Sequence, residues 1–333
     1  MKRIRDNLKP RYKYLRLDYN ERFIKFPTWF YLEFLQSLTQ DDFMAYPEPK
    51  PLYDKLAEYH DVNFENIYLA PGSDAVIKTF FEAFVSQGDI VVSSEPCFPM
   101  YKVYSELFKA NFLGIEYTED YKFKLDELLE FLSYNETSLI ILANPNSPIG
   151  NYIPYNTIEA IAAFGIPLLI DEAYVEFVGE TCRDLIRKYN NVGIVRTFSK
   201  AFGAAGLRVG YAIGSEWLIN KLFEWRQMDE VNQIGIKFAC HLLDHIDLIT
   251  YYCNECILER EKLSDIMLNN GFQVLDSLAG WIHINHKDAL KQRELIKNLT
   301  DRGALLKLVK LPHDSRKNWI RLSIGPGIST LFK

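Results

Sequence analysis

Short apolar runs alternate with amphipathic segments from about residue 52 to residue 215. Two amphipathic segments, LYDKLAEYH and AVIKTFFEAFVSQ, have the apolar spacing that predicts helices. Four apolar runs, DIVVSSE, SLIILANP, PLLIDEA and VGIVRTFS, are hydrophobic on both faces, which is typical of buried parallel strands. Alternation of such strands with helices predicts an α/β layer sandwich.

The pattern changes near residue 216. Residues 216–271 form a long, mostly helical stretch, and shorter alternating elements follow it, among them FQVLDS, WIHINHK, LLKLVK and NWIRLSIG. These elements predict a smaller α+β domain, which the first part of the helical stretch joins to the sheet. We therefore expect an N-terminal arm and part of the small domain in 1–40, a large α/β domain in 41–215, and a bridging helix with the small C-terminal domain in 216–333.

Composition narrows the class of protein. The 333 residues are 48% hydrophobic and 25% charged, which is typical of soluble globular chains. The formal net charge of −6 argues against a nucleic-acid binder. We expect no membrane span, because no run approaches the roughly 20 apolar residues that a crossing needs. The basic N-terminus, MKRIRDNLKPRYKYLR, lacks the apolar core of a secretory signal, so we expect a cytoplasmic protein with a solvated or subunit-crossing arm.

Cysteine and histidine spacing gives little sign of a metal site. Five cysteines fit a reducing compartment better than a disulfide framework. Cys253 and Cys256 form a single CxxC in a helical run, with no second pair to complete a zinc site. His241 and His245 stand at helical i, i+4 spacing and could share a metal. No acidic motif lies between or after them, so we expect an ordinary helix surface and no bound metal.

Polar residues at strand ends are the candidates for chemistry, because ligands bind beyond the carboxyl ends of parallel strands. In LAPGSDAVIKTFF, Gly72 permits an unusual turn, and Ser73 and Asp74 begin a helix whose N–H groups can bind an anion. In PLLIDEAYVEF, a buried strand ends at Asp171 and Glu172. A buried carboxylate is costly unless it meets a cation or a donor.

The segment TFSKAFGAAGLRVGY places a lysine at the end of another buried strand. Lys200 can act as a nucleophilic amine, while Ser199 and Arg208 suit a phosphate. Gly203, Gly206 and Gly210 would allow close backbone approach, although they do not form a GxGxxG fingerprint. A reactive lysine, a phosphate cradle and a buried acid are what pyridoxal 5′-phosphate requires.

The segments LDYNE, YPEPKPLYDKLAEY, APGSDAVI, EPCFPMY, NPNSPIG, IDEAYVEF, TFSKAFGAAGLRVGY and NWIRLSIG extend over nearly the whole chain. In this order they resemble the fold-type I pyridoxal-phosphate aminotransferases, and most closely the histidinol-phosphate aminotransferase branch. The resemblance implies a large domain with a mostly parallel sheet between helices, a smaller α+β C-terminal domain, and a homodimer with shared active sites.

The resemblance also implies catalytic roles for three residues. Lys200 matches the Schiff-base lysine, which moves the proton between the substrate Cα and C4′ of the cofactor. Asp171 matches the partner of the pyridine nitrogen, and Tyr174 matches the residue that hydrogen-bonds O3′.

Further positions match binding residues of the family. The implied phosphate cradle consists of Ser199, Arg208 and the backbone of Ser73 and Asp74. Phe98 matches the aromatic that stacks on the cofactor ring, and Tyr46 matches a tyrosine that reaches the phosphate in the neighbouring subunit. On the substrate side, Arg321 matches the arginine that grips the α-carboxylate, and Asn20 lies in a segment that touches substrate.

The chain departs from the family pattern around the substrate. The asparagine that usually contacts O3′ is replaced by Ser147, so either Ser147 or Asn146 must serve or the contact is lost. The arginine that helps to hold a substrate phosphate is replaced by Lys307, a point charge rather than a fork. Gly280 and Trp281 stand where an Asn-Phe pair is common.

We consider three functions for a protein with these residues. The first is an aminotransferase that uses a donor such as glutamate and a small, phosphorylated keto or amino-alcohol substrate. The second is a decarboxylase of a phosphorylated amino acid, similar to the threonine-phosphate decarboxylases, since the same cofactor supports both reactions. The third is a non-catalytic cofactor-binding module, against which the presence of Lys200, Asp171 and Arg321 argues.

Overall fold

The structure is a computed structural model that describes residues 10–311, 313 and 318–332. Its main sheet has seven strands: β2 (Ile67–Ala70), β3 (Ile90–Glu95), β4 (Asn111–Glu116), β5 (Leu139–Ala143), β6 (Leu168–Asp171), β7 (Val192–Thr197) and β8 (Gly210–Gly214). The spatial order is β2-β8-β7-β6-β5-β3-β4. Strand β8 is antiparallel to both neighbours, and the other pairs are parallel. The predicted α/β sandwich with a mostly parallel sheet is therefore confirmed.

Burial on both faces explains why the central strands lack alternation. Ile140 and Ile194 point into one hydrophobic cluster, while their chain neighbours Ile141 and Val195 point into the other. Each cluster is covered by helices, so both sets of side chains must be apolar. The sequence runs at β3, β5, β6 and β7 have this property, and all four predicted strands are present.

Helices cover both faces of the main sheet and continue beyond it. Within the described residues they are α1 (Thr28–Gln36), α2 (Asp41–Met44), α3 (Lys50–His60), α4 (Ser73–Phe84), α5 (Pro99–Leu107), α6 (Leu125–Tyr134), α7 (Tyr155–Ala162), α8 (Leu185–Lys188), α9 (Glu216–Phe223), α10 (Gln233–Asp244), α11 (Ile246–Asn269) and α12 (Ala289–Asp301). The predicted helical stretch after residue 216 is three helices rather than one. The side chain of Asn232 caps α10 by accepting from Gly235 N at 2.7 Å. The backbone of His245 leaves the helical region at φ −120° and ψ 41°, which separates α10 from α11.

A second sheet lies in the C-terminal part of the chain. Its four antiparallel strands are β9 (Phe272–Leu275), β10 (Trp281–His286), β12 (Lys307–Val309) and β13 (Trp319–Ser323), in the order β12-β13-β10-β9. Strand β1 (Leu15–Arg16) pairs in parallel with β11 (Ala304–Leu305), so the N-terminal segment joins this part of the fold. We keep the domain boundaries at residues 40 and 215 as a proposal that these pairings support.

Two sequence features have simple structural outcomes. Cys253 and Cys256 are buried on α11 and belong to the hydrophobic core. Among the described residues, none of the helices combines the length and the apolar composition that a membrane crossing requires.

Candidate active site

A cavity of about 150 Å³ lies where β5, β6 and β7 end. The ends of β5 and β6 are level, because Ala143 pairs with Asp171, and β7 continues two residues past Val195, the partner of Asp171, to Thr197. All of the predicted cofactor residues except Asn146 and Tyr46 line the cavity, namely Ser73, Asp74, Phe98, Ser147, Asp171, Tyr174, Ser199, Lys200 and Arg208. The cavity therefore occupies the position expected for a ligand in an open parallel sheet.

The start of α4 and the side chain of Arg208 form a cradle for an anion. Helix α4 begins at Ser73, and its N-cap residue Gly72 has no side chain to accept a hydrogen bond from the first turn. N–H groups of a first helical turn lack partners within the helix and can bind an anion. Arg208 Nη1 donates to Ser199 Oγ at 3.3 Å, so a guanidinium and a hydroxyl stand together in the same cavity wall.

Two glycines allow this cradle to close. Gly72 has φ 91°, and a Cβ on it would lie 2.4 Å from Nη2 of Arg208. A Cβ on Gly210 would lie 2.3 Å from the backbone nitrogen of Ser73. A side chain at either position would displace the guanidinium or the helix start. Gly206, in contrast, faces open space, so the close approach expected there is absent.

Lys200 stands just beyond the end of β7. Its Nζ donates to the backbone oxygen of Tyr19 at 3.1 Å and lies 5.4 Å from the centre of the Tyr174 ring. This single hydrogen bond to a backbone carbonyl orients the amino group at the edge of the cavity, where it can act as a nucleophile.

Asp171, the last residue of β6, is 6% exposed. Its Oδ2 accepts a hydrogen bond from Tyr101 Oη at 2.8 Å, and its Oδ1 accepts one from the backbone N–H of Ala173 at 3.1 Å. Burial raises the pKa of Asp171, and the hydrogen bond from Tyr101 opposes that shift. A buried carboxylate of this kind is stabilised by a positively charged partner, such as a protonated ring nitrogen.

The neighbouring carboxylate of Glu172 has a structural role, in a buried ion pair with Arg196. Its Oε2 lies 2.7 Å from Nη2 of Arg196, and its Oε1 accepts from the backbone N–H of Cys182 at 2.6 Å. Thr181 donates to the same carboxylate. Glu172 is therefore fully used in a buried ion pair and does not line the cavity.

Tyr174 connects the cavity to the N-terminal segment. Its hydroxyl accepts from Asn20 Nδ2 at 3.4 Å, and its ring packs edge-on against Trp281 with centroids 4.7 Å apart. Asn20 is held in turn by Ser323, whose hydroxyl accepts from the Asn20 backbone N–H at 3.1 Å. The predicted substrate residue Asn20 is thus brought beside the predicted catalytic residue Tyr174.

The structure distinguishes between Ser147 and Asn146. Asn146 is completely buried, and its amide donates to Pro96 O at 3.0 Å while its Oδ1 accepts from Ile149 N at 3.1 Å. These bonds hold the loop together, and Asn146 lies outside the cavity lining. Ser147 lines the cavity, so the geometry favours Ser147 as the residue that meets a cofactor.

A second cavity, of about 550 Å³, adjoins the first. Phe98, Ser147, Tyr174 and Lys200 line both cavities. The predicted substrate residues Asn20, Arg321 and Lys307 line the second cavity, together with Tyr19 and Lys310. The predicted substrate and cofactor residues thus form two adjacent spaces with the lysine between them.

Arg321 has unused hydrogen-bonding capacity towards a ligand. Its Nη2 donates to Asp18 O at 2.9 Å, and among the described residues its buried Nε has no partner. Burial lowers the pKa of the guanidinium from its usual value. A partly desolvated arginine with free donors is suited to a carboxylate.

Strand pairing places three basic residues in one row across the small sheet. Arg321 on β13 is opposite Lys307 on β12 and opposite His283 on β10. His283 is completely buried, and burial beside Arg321 lowers its pKa to about 3. His283 is therefore neutral near pH 7, and the positive charge of the row belongs to Arg321 and Lys307.

Tyr46 lies apart from these cavities. It is 83% exposed, and neither cavity is lined by it. Its neighbours Phe43 and Met44 are 70% and 79% exposed. Phe43, Met44 and Tyr46 thus form a patch of large exposed side chains near the start of the chain.

Sequence reasoning missed several residues of the site. Tyr101 lies on α5 three positions after Phe98, the residue that precedes this helix, and the two rings are 5.7 Å apart, so closeness in sequence to the predicted stacking residue is a usable signal. Lys310 follows Lys307 by three positions and lines the second cavity with it. Trp281 departs from the family pattern, but its contact with Tyr174 has no signal in the sequence.

The residues present fit pyridoxal phosphate. The glycines of the cradle leave room at the helix start, the buried Asp171 carboxylate calls for a cationic partner, and the Lys200 amine faces the same space. These features correspond to the phosphate, the ring nitrogen and the aldehyde of the cofactor.

Comparisons with known proteins agree with this fit. The family model for aminotransferase class I and II matches residues 31–330. The chain is 31% identical to histidinol-phosphate aminotransferase 1 of Carboxydothermus hydrogenoformans, with 93% of this chain and 88% of the relative covered. It is 34% identical to histidinol-phosphate aminotransferase of Caldanaerobacter subterraneus over 79% of this chain and 75% of the relative.

Solved structures give the same picture. Histidinol-phosphate aminotransferase from Sinorhizobium meliloti, in complex with pyridoxal-5′-phosphate, has a TM-score of 0.83 at 25% identity and covers 96% of this chain and 88% of its own. L-threonine-O-3-phosphate decarboxylase from Porphyromonas gingivalis has a TM-score of 0.76 at 18% identity, covers 96% and 97% of the two chains, and shares the fold alone. The decarboxylase alternative is accordingly not favoured. The chain belongs to the class I and II aminotransferases and is a pyridoxal-phosphate-dependent enzyme of fold type I.

Proposed function

We propose that this aminotransferase moves an amino group between an amino acid such as glutamate and a small phosphorylated keto or amino-alcohol substrate. Relatives named histidinol-phosphate aminotransferase support the phosphorylated substrate. The observation that carries the proposal is the pair of adjoining cavities. Lys200 lines both of them, and the outer one combines Arg321 with Lys307 and Lys310.

Arg321 would bind the α-carboxylate of the donor. Its free Nε and its Nη groups can make the paired hydrogen bonds that a carboxylate accepts. Asp18 and the Trp281 ring, 5.6 Å from the guanidinium, fix its orientation. A donor held there presents its Cα towards Lys200.

Lys307 and Lys310 would bind the phosphate of the second substrate. Both line the outer cavity, and Lys307 is exposed on β12. Two mobile ammonium groups bind a phosphate as point charges, without the fixed geometry of an arginine fork. The site should therefore accept phosphorylated substrates of more than one shape.

Lys200 would move the proton during transfer. Bound pyridoxal phosphate supplies an electron sink for the charge left on the substrate Cα. Nζ of Lys200, positioned between the two cavities, is the group that can take the proton from Cα and return it on the cofactor side. Asp171 would hold a positive charge on the ring nitrogen, and Tyr174 and Ser147 would hydrogen-bond the ring oxygen, since all three line the cavity.

We also propose a homodimer in which Tyr46 reaches the cofactor phosphate of the second subunit. The exposed Phe43, Met44 and Tyr46 support it. Light scattering should give twice the chain mass, and Tyr46→Phe should weaken cofactor binding without dissociating the dimer. A monomer that retains full activity would contradict the proposal.

A cytoplasmic location completes the proposal. All five cysteines are free thiols, and four of them are buried. Such thiols are compatible with a reducing compartment.

Absorption spectroscopy tests the proposed reaction. L-glutamate should convert the visible band of the lysine-bound cofactor into that of its amine form, with release of 2-oxoglutarate. L-histidinol phosphate should do the same, and L-histidinol should react at least about tenfold less efficiently, because a charged hydrogen-bonding partner is lost. A band indifferent to both amines, or carbon dioxide released without a keto acid, would contradict amino transfer.

A further inference from the structure

Two histidines and a glutamate lie close together near the surface, outside both cavities. Glu33 lies on α1, His241 lies on α10, and His245 lies at the junction of α10 and α11. One ligand atom from each residue lies within 4.8 Å of the other two. Nε2 of His245 is 3.5 Å from Oε1 of Glu33. The acidic partner that is missing from the sequence around the histidines is therefore supplied by the N-terminal part of the chain.

The hydrogen bond of His241 prepares its ring for a metal. Nε2 lies 3.0 Å from the backbone oxygen of Phe30. A carbonyl can only accept, so Nε2 carries the proton and Nδ1 of the neutral ring keeps the unshared electron pair. Metal-bound histidines commonly donate their second N–H to a backbone carbonyl in this way, which fixes tautomer and orientation.

Aromatic side chains hold both imidazoles in place. The His241 ring packs 4.3 Å from the ring of Phe30 and 5.8 Å from that of Phe34. The His245 ring packs 5.4 Å from the rings of Trp29 and Phe30. The two histidine rings are themselves 4.7 Å apart, at an angle of 77°. Ordering these side chains around an ion therefore costs little conformational entropy.

We propose that Glu33, His241 and His245 bind a divalent transition-metal ion. Two imidazoles and one carboxylate are a donor set that Zn²⁺ uses when it keeps one position open. Imidazole ligands disfavour Ca²⁺ and Mg²⁺, which prefer oxygen. The ion would cross-link α1 to the junction of α10 and α11, and α1 lies between the segments that carry Asn20 and Tyr46.

Calorimetric titration of the holoenzyme with Zn²⁺, in a buffer without phosphate, tests the site. We expect saturable binding of one ion per chain and a higher melting temperature with Zn²⁺. His245→Ala and Glu33→Gln should each weaken binding by at least about tenfold. His241→Phe should do the same while it keeps a ring in the aromatic cluster.

Three matched variants control for other ligands. His286→Ala removes a histidine on β10, and Glu58→Gln removes an exposed carboxylate on α3. Cys240→Ser removes the least buried thiol, which is also the neighbour of His241. All three should bind Zn²⁺ as the parent protein does, and Co²⁺ in place of Zn²⁺ should show no thiolate-to-metal charge-transfer band.

Four outcomes would overturn the proposal. They are the absence of saturable binding to the parent protein, unchanged binding by both His245→Ala and Glu33→Gln, loss of binding in Cys240→Ser, and a Co²⁺ thiolate band. The visible cofactor band of each variant verifies that it is folded.

Discussion

Tyr101 Oη donates a hydrogen bond of 2.8 Å to Asp171 Oδ2, and both side chains are buried. The tyrosine lies on α5 and the aspartate at the end of β6, so the bond joins a helix to the floor of the cofactor cavity. It opposes the rise in the pKa of Asp171 that burial causes. The hydroxyl therefore helps to keep the carboxylate ionised.

Tyr101→Phe should weaken the hold of the enzyme on its cofactor. Loss of a hydrogen bond to a charged group costs about 1.5–3 kcal/mol, so the dissociation constant of pyridoxal phosphate should rise by roughly 10- to 100-fold. The pKa of Asp171 should rise further, which shifts the acidic limb of the pH–rate profile to higher pH. Tyr68→Phe, a buried tyrosine bonded to Thr79, is the control and should change neither quantity. Equal behaviour of the two variants would contradict the role of Tyr101.

Asp171→Asn should make the cofactor-free protein more stable and at the same time weaken its interaction with the cofactor. The raised pKa means that the folded, cofactor-free protein resists ionising this carboxyl. The cost is absent at low pH and appears as pH rises above the ordinary aspartate pKa of about 4. At pH 7 the asparagine variant without cofactor should be more stable, on the order of 1 kcal/mol, and the stabilisation by pyridoxal phosphate should be smaller. Thermal melts with and without cofactor measure both effects; a less stable cofactor-free variant would contradict the argument.

Gly72→Ala and Gly210→Ala should each disturb the phosphate cradle. The added methyl group would collide with Arg208 in the first case and with the backbone of Ser73 in the second. Cofactor affinity should fall by at least about tenfold, since the contacts to a phosphate are charge-assisted. Gly206→Ala adds the same methyl group in open space and is the control. Fluorescence titration with pyridoxal phosphate measures the three affinities, and a similar loss in all of them would contradict the steric explanation.

Lys307→Ala and Lys310→Ala should affect phosphorylated substrates selectively. KM for L-histidinol phosphate should rise about 3- to 30-fold in each variant, while the half-reaction with glutamate should change little. Lys291→Ala, on the exposed side of α12, is the matched control. Arg321→Lys should instead impair both half-reactions. If the Lys307 variant lost as much activity in the half-reaction with glutamate, Lys307 would not be specific for the phosphate group.

Glu176→Gln should change how stability depends on pH. Burial raises the pKa of Glu176 from 4.5 to about 7, and its Oε2 has no partner among the described residues. Between these pH values the folded state holds a proton that the unfolded state has lost, so stability falls as pH rises from 4.5 to 7. The glutamine variant should lose this part of the slope and gain stability above pH 7. Chemical denaturation at several pH values measures the slope; an unchanged slope would contradict the assignment.

The sequence predicted those parts of the molecule that depend on a residue's own segment, such as a buried strand and the polar residue that follows it. Buried strands such as β5 and β6 are apolar on both faces. Asp171 ends β6 and Lys200 follows the end of β7, so the pattern predicted that both would line a cavity at this edge of the sheet. The strand β8 was missed because its sequence, GYAIG, is rich in glycine, and glycine is unfavourable in strands. Contacts between distant segments had no local signal. The bond from Asn20 to Tyr174, and the meeting of Glu33 with His241, depend on how the helices pack.

The pairing of β1 with β11 has a consequence for synthesis of the protein. Leu15 is among the first described residues to be made, and its partner Ala304 among the last. The main sheet, complete at Gly214, can form before the small sheet has been made, whereas the segment that carries Asn20 must wait until Ala304 and Leu305 have been made. Such a non-local contact is formed late and slowly. During synthesis the cofactor cavity can therefore form before the segment around Asn20, which lines the proposed substrate cavity, is in place.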